Sequence, residues 1–116
     1  MNVDYGAAKA AMSNLTQALS EEFASQGIRV NTVSPGPVRT PWWTDAGGVA
    51  DMIADQAGTD RESAMATVAP EMMQLVTGRL ADPQEIADVV ALLASPRSGS
   101  TTGADFAVDS GFVKAV

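Results

Sequence analysis

The chain has 116 residues, a formal net charge of −7, and neither histidine nor cysteine. Those absences exclude Ser-His-Asp and Cys-His catalysis, zinc sites built on His or Cys, and a disulfide framework, so no metal site is expected. The acidic balance, with seven basic residues scattered singly, excludes nucleic acid and anionic membrane as partners.

No apolar run reaches the ~20 residues of a membrane span, and no basic-then-apolar leader opens the sequence, so the cytoplasm is the expected location. A hydrophobic content of 46% fits a single globular domain.

The first element is a helix from Asp4 to Gln26. Ala8, Ala11, Met12, Leu15, Ala18, Leu19, Phe23 and Ala24 recur at helical spacing, and Gly27 is placed as a C-cap. Tyr5 and Lys9 stand four residues apart at its head, which puts them on one face, one turn apart. A cation beside a phenol favours the phenolate and makes a proton donor and acceptor. The spacing alone leaves a plainer alternative, a surface lysine packed along a half-buried ring. Both residues share the stripe's edge with Met12, so the ammonium is expected beside apolar packing. Asn14-Leu15-Thr16 matches a glycosylation sequon but falls mid-helix and is discounted.

Ile28 to Val33 is a β-branched run with polar interruptions and predicts a strand. Ser34 to Pro41 follows, with three prolines and a glycine in eight residues, and predicts a stiff loop. Ligands bind in such loops at the carboxyl ends of strands in open α/β sheets; the alternative is a rigid connector. From Trp42 to Gly78 the pattern is less regular. Helices are expected over Ala46–Ala57 and Arg61–Val76, broken near Gly58. The apolar set there is rich in methionine (Met52, Met65, Met72, Met73), which serves either as core or as a mobile cover over a pocket.

Asp82-Pro83-Gln84-Glu85 starts the last helix, with Asp82 at the N-cap, Pro83 at N1 and Glu85 placed to close a capping box. Ile86, Val89, Val90, Leu92 and Leu93 follow, and the helix ends at Ser95-Pro96. A loop from Ser98 to Gly103 leads into a second strand, Asp105–Val108, closed by the turn Asp109-Ser110-Gly111. The order of elements is that of an α/β fold whose strands are joined by helical crossovers.

Four segments in this order resemble the C-terminal half of the short-chain dehydrogenase/reductase family. Tyr5-Gly6-Ala7-Ala8-Lys9 is similar to its Tyr-x-x-x-Lys motif. Arg29 to Thr40 resembles its strand followed by Pro-Gly and a threonine. Gly78 to Ala87 resembles the approach to its last large helix. Thr102-Gly103 and Val108-Asp109-Ser110-Gly111 resemble its closing strand, with Ser110 where a glycine is usual. The resemblance implies the C-terminal part of a Rossmann-like, doubly wound parallel sheet, with about two strands and four to five helices.

It also implies roles. Tyr5 would be the general acid/base of carbonyl–alcohol interconversion, and Lys9 would favour its phenolate and hold the nicotinamide ribose hydroxyls. Pro35-Gly36 would pass under the nicotinamide, Val38 would bind its carboxamide through backbone groups, and Thr40 would bond the carboxamide or pyrophosphate. The cofactor would be NAD or NADP. Trp42 through Met73 would cover a small apolar carbonyl or alcohol substrate.

This sequence contains no Gly-x-x-x-Gly-x-Gly turn for the pyrophosphate, and only four residues precede Tyr5. The nucleotide-binding half, with the family's serine and asparagine, is therefore expected outside it, and the 116 residues alone are expected to be inactive. The competing readings are a non-catalytic module that pairs with itself or with a full-length relative, and a gene fragment with no function of its own.

Overall fold

A computed structural model of the chain describes residues 3–113. These divide into two compact units. One comprises residues up to Ser34 together with Val89–Phe106; the other comprises Pro35–Asp88 and the segment from Ala107 onward.

In the first unit α1 spans Val3–Phe23 and tightens into a 3₁₀ turn at Ala24–Gln26. Gly27, at φ 73°, takes the left-handed cap and donates its N–H to the Ala24 carbonyl at 3.0 Å. Extent and cap agree with the sequence. The expected apolar packing does not. Residues 3–15 of α1 are all exposed, with Met12 at 56% and Leu15 at 55%, and Ser20 is the one buried side chain among the described residues of the helix. The alanine-rich stripe is thus present but exposed over its N-terminal half, while Leu19 and Phe23 are half-buried, and Lys9 lies on an open surface.

β1 spans Thr32–Pro35, later than the strand expected at 28–33. Side chains displace its start. The Asn31 amide donates to the Thr101 carbonyl at 3.0 Å and accepts from the Ala104 N–H at 3.1 Å, while the Thr102 hydroxyl accepts the Val30 N–H at 3.1 Å. Residues before Thr32 are thereby held by these side-chain bonds and by one backbone bond, from the Gly103 N–H to the Val30 carbonyl at 2.7 Å. The strand also runs into the expected loop. The bonds at its two ends run from the Thr32 N–H to the Ala104 carbonyl at 2.9 Å and from the Gly36 N–H to the Val108 carbonyl at 3.1 Å. Pro35 has the opposite parity, so its missing N–H costs no ladder bond. β2 spans Asp105–Val108, as expected, and pairs with β1 in a two-stranded sheet. The register of those two bonds, rising together along both strands, is parallel.

Arg29 anchors the C-terminal end of the last helix. Its guanidinium donates to the carbonyls of Leu93 at 2.8 Å, Ser95 at 3.3 Å and Thr101 at 3.3 Å, and to the Ser98 hydroxyl at 3.2 Å. The Leu93 carbonyl lies in the helix's last turn, so a half-buried cation at this end bonds it and complements the helix dipole together.

In the second unit a short helix that the sequence reading did not anticipate, α2, covers Pro41–Thr44. Thr40 at the N-cap and Pro41 just after it are its local signal. α3 begins at Val49, not Ala46, because the intervening Gly47 sits at φ 76° and breaks the helix. Gly58 caps it in the left-handed conformation, which makes the break expected near that residue. The expected single helix over Arg61–Val76 is shorter and bent: α4 (Arg61–Ser63), a π turn (Ala64–Val68) and α5 (Ala69–Met72). Pro70 explains the bend. It has no N–H for the Ala66 carbonyl and its ring would clash there, so the helix widens and the Ala69 N–H bonds the Ala64 carbonyl.

The buried apolar side chains of the described residues all lie between Trp43 and Ala81. Trp43, Ala50, Ile53, Ala54, Ala64, Met65, Ala69, Leu75 and Leu80 form one cluster. Of the methionines, Met65 is core, Met73 packs against it, and Met52 and Met72 are exposed.

α6 spans Pro83–Ala94. Glu85 reaches back to the Asp82 N–H at 2.8 Å, the half of the capping box expected of it, and also takes Arg79 in a two-pronged pair at 2.7 and 2.8 Å. The Arg79 guanidinium, then the Asp82 N–H, hold its carboxyl down at about 2, from an ordinary 4.5. The folded state therefore binds the proton less readily than the unfolded one. The stabilisation is complete above about pH 4.5 and is lost as pH falls toward 2. Denaturation midpoints followed across that window should fall less steeply for Glu85→Gln than for the unsubstituted chain.

Candidate active site

The sequence-predicted site residues fall on two separate parts of the chain. Tyr5 and Lys9 belong to the first unit. The helical turn between them sets the Lys9 ammonium over the Tyr5 ring, with Nζ 5.5 Å from the centroid. Tyr5 is 62% exposed, so its phenol is accessible to a ligand. The expected same-face pair is formed, and the cation lies over the face of the ring.

Pro35, Gly36, Val38 and Thr40 belong to the second unit, where β1 gives way to α2. Gly36 is fixed by crowding. A Cβ built there would lie 2.6 Å from Asp109 Cα and 2.7 Å from its carbonyl oxygen, so only glycine lets the loop pass this close to the residue that follows β2. The β2 end was read from sequence only as a turn, and its contact with Gly36 has no local signal. Ser110, in place of the usual glycine, does adopt a left-handed φ of 58°. Asp109 steadies that turn by accepting the N–H groups of Gly111 and Val113, both at 2.9 Å. Gly36→Ala should destabilise the chain by about 1–3 kcal/mol, because the clash is with backbone that cannot rotate away. Urea denaturation of the variant against the parent measures it.

Val38 makes a parallel bridge with Ala81. The bridging bonds run from the Ala81 N–H to the Pro37 carbonyl at 3.0 Å and from the Arg39 N–H to the Ala81 carbonyl at 2.8 Å. That pattern turns the Val38 N–H and carbonyl to the opposite side. The Thr40 N–H takes the Val38 carbonyl at 2.8 Å. Thr40 is the N-cap of α2, yet its hydroxyl makes no cap bond; its carbonyl accepts Trp43 and Thr44 N–H groups at 2.8 and 3.1 Å. A backbone donor and a hydroxyl are thus left at the strand end for a polar partner.

Two arginines brace the surroundings. Arg61 clasps Asp51 at 2.6 and 2.7 Å and donates to the Thr44 carbonyl at 2.9 Å, while Asp51 accepts the Gly47 N–H at 2.7 Å. Arg61 and then the Gly47 N–H hold the Asp51 carboxyl below its ordinary range. Arg39 meets Glu62 at 2.9 Å on the surface.

A Tyr-x-x-x-Lys turn at the head of a long helix and a Pro-Gly loop at a parallel strand's end are now both placed. The sequence matches the family model described as enoyl-(acyl carrier protein) reductase over residues 1–113. The chain belongs to the short-chain dehydrogenase/reductase family. Among its relatives, oxidoreductase UcpA of Escherichia coli K12 is 40% identical over 108 residues, covering 92% of this chain and 37% of that protein. Cis-4-hydroxycyclohexanecarboxylate dehydrogenase of Sinomonas cyclohexanicum is 41% identical, over 93% of this chain and 36% of that one. The structure of L-sorbose reductase from Gluconobacter frateurii, complexed with NADPH and L-sorbose, superposes with a TM-score of 0.82 at 30% identity, over 97% of this chain and 41% of that one. The chain therefore spans little more than a third of the curated short-chain dehydrogenase/reductase relatives it matches, and its two-stranded α/β architecture is part of their Rossmann-like fold.

Among the described residues no helix is long and apolar enough to cross a membrane, and no cluster of acidic residues is arranged to hold a metal ion.

Proposed function

We propose that this chain supplies the acid/base and nicotinamide-facing part of an NAD(P)-dependent oxidoreductase that interconverts a carbonyl and an alcohol. The bound cofactor supplies the hydride. Tyr5 donates the phenolic proton to the carbonyl oxygen in reduction and takes it back from the hydroxyl in oxidation. Lys9 donates to the ribose hydroxyls. Pro35-Gly36 forms the floor beneath the nicotinamide, the outward backbone of Val38 meets the carboxamide, and the Thr40 hydroxyl bonds the carboxamide or pyrophosphate. The observation that carries this reading is the exposed Tyr5 ring with the Lys9 ammonium 5.5 Å over it, on a chain of this family.

The residues present fit a nicotinamide on its open side: a glycine that Asp109 forbids to be larger, and a Val38 amide turned away from its bridge. They offer nothing for the pyrophosphate beyond Thr40, since the sequence has no Gly-x-x-x-Gly-x-Gly turn. The 116 residues alone are accordingly inactive. The substrate is a small apolar carbonyl or alcohol, reached under the segment from Trp42 to Met73, and the location is cytoplasmic.

A second reading has its own observation. The uncovered stripe of α1, with Met12 and Leu15 more than half exposed, favours self-association or pairing with a full-length relative. The two readings separate when the chain is joined behind the N-terminal part of UcpA and given NADH or NADPH with a panel of aldehydes and ketones. Cofactor-dependent reduction supports the oxidoreductase. A folded fusion that reduces none of them leaves the binding module.

A further inference from the structure

Gly36 seats its loop directly on Asp109, within one compact unit. A Cβ at Gly36 would meet Asp109 Cα at 2.6 Å and its Cβ at 2.7 Å, so the two backbones are in contact. The Gly36 N–H is also tied to the preceding Val108 carbonyl at 3.1 Å. Where Asp109 moves, the loop follows.

Asp109 is held in turn by its own side chain. One carboxylate oxygen accepts the Gly111 N–H and the other the Val113 N–H, both at 2.9 Å, and its carbonyl accepts the Phe112 N–H at 3.0 Å. The turn needs that support, because Ser110 and Gly111 both sit in the left-handed region, at φ 58° and 73°. A serine adopts that conformation at a cost. From outside the turn, the Thr77 N–H bonds the Ser110 carbonyl at 3.2 Å. Bonds to a charged acceptor are stronger than neutral ones, so the carboxylate is the main brace.

We infer that Asp109 is a positioning residue for the cofactor: its carboxylate fixes the turn on which Gly36 rests, and so sets where the nicotinamide floor lies without touching the nicotinamide. A floor already in place costs the ligand nothing to order, whereas a floor free to shift weakens binding. The inference rests on the reading of Pro35-Gly36 as that floor, but its test does not require turnover.

The test titrates NADH and NADPH, by their own fluorescence, into the chain joined behind the N-terminal part of UcpA. Asp109→Ala removes both acceptors and should raise the Kd of whichever dinucleotide the parent fusion binds about tenfold, the equivalent of one such bond. Asp109→Asn keeps one acceptor, should raise it about threefold, and decides the matter if Asp109→Ala does not fold. Partial unfolding would lower the number of sites and leave their Kd alone, so a merely structural role is told apart. In the 116-residue chain, with far-UV circular dichroism unchanged, the Gly36 amide should exchange its hydrogen about tenfold faster in Asp109→Ala. An unchanged Kd in either folded variant, fewer sites at the parent's Kd, or unaltered Gly36 exchange overturns the inference. So does a parent fusion that binds neither dinucleotide. Binding that depends on Asp109 in a fusion that reduces no carbonyl would leave the positioning role standing and remove the oxidoreductase reading.

Discussion

Replacing Tyr5 with phenylalanine in the chain fused behind the N-terminal part of UcpA should lower kcat by about 10²–10⁴-fold. The substitution removes one oxygen and keeps the ring that lies under the Lys9 ammonium, so the cation–ring contact at 5.5 Å survives. Cofactor affinity should change only a few-fold, because the loop from Pro35 to Thr40 is untouched. The split is the informative part. A proton donor acts in the chemical step, so its loss appears in kcat. A residue that only packs against cofactor would appear in KM. A Tyr5→Phe fusion within threefold of its parent in kcat would remove Tyr5 from proton transfer.

The largest effect on stability should come from Trp43→Ala. Trp43 is nearly inaccessible and packs within the one substantial apolar cluster of the described residues, with Ile53, Met65, Leu75 and Leu80. Truncating a buried tryptophan leaves a cavity that helices packed through alanines cannot easily fill, and costs about 3–5 kcal/mol. A domain of this size has a total of about 5–15 kcal/mol, so the variant should lie near the edge of unfolding. Trp42→Ala, one position away, should cost less than about 1.5 kcal/mol, chiefly the edge-to-face contact. Urea denaturation followed by circular dichroism distinguishes the two. Equal losses would mean that the asymmetry between the tryptophans is not what holds this region together.

The features legible in the sequence are those set by neighbours along the chain. The Tyr5–Lys9 pair needs only one helical turn, the Asp82–Glu85 cap only one residue quartet, and the Gly27 cap and the break near Gly58 only a residue free to take positive φ. What escaped depends on partners distant in sequence. Asn31 moves the start of β1 by bonding Thr101 and Ala104, and Gly36 is required by Asp109. Arg29 reads as an interruption in a strand but serves as the cap of α6. Pro70 is a local signal for the π turn after α4, masked by an apolar period that is continuous on both sides of it. The alanine stripe of α1 was legible as a pattern, but a pattern states only which face is apolar, and here its N-terminal half is exposed. The family resemblance, carried by four segments in order, was fully legible, and the match over residues 1–113 bears it out.

The central claim is that Tyr5 and Lys9 serve hydride transfer only when joined to a nucleotide-binding half. Its most direct test supplies deuterium at C4 of the reduced nicotinamide to the UcpA fusion and to the 116-residue chain, each with cyclohexanone, and locates the label in the alcohol by mass spectrometry and NMR. The account predicts deuterium on the carbinol carbon with the fusion and no alcohol with the chain alone. Unlabelled alcohol from the fusion, or labelled alcohol from the chain by itself, would contradict it.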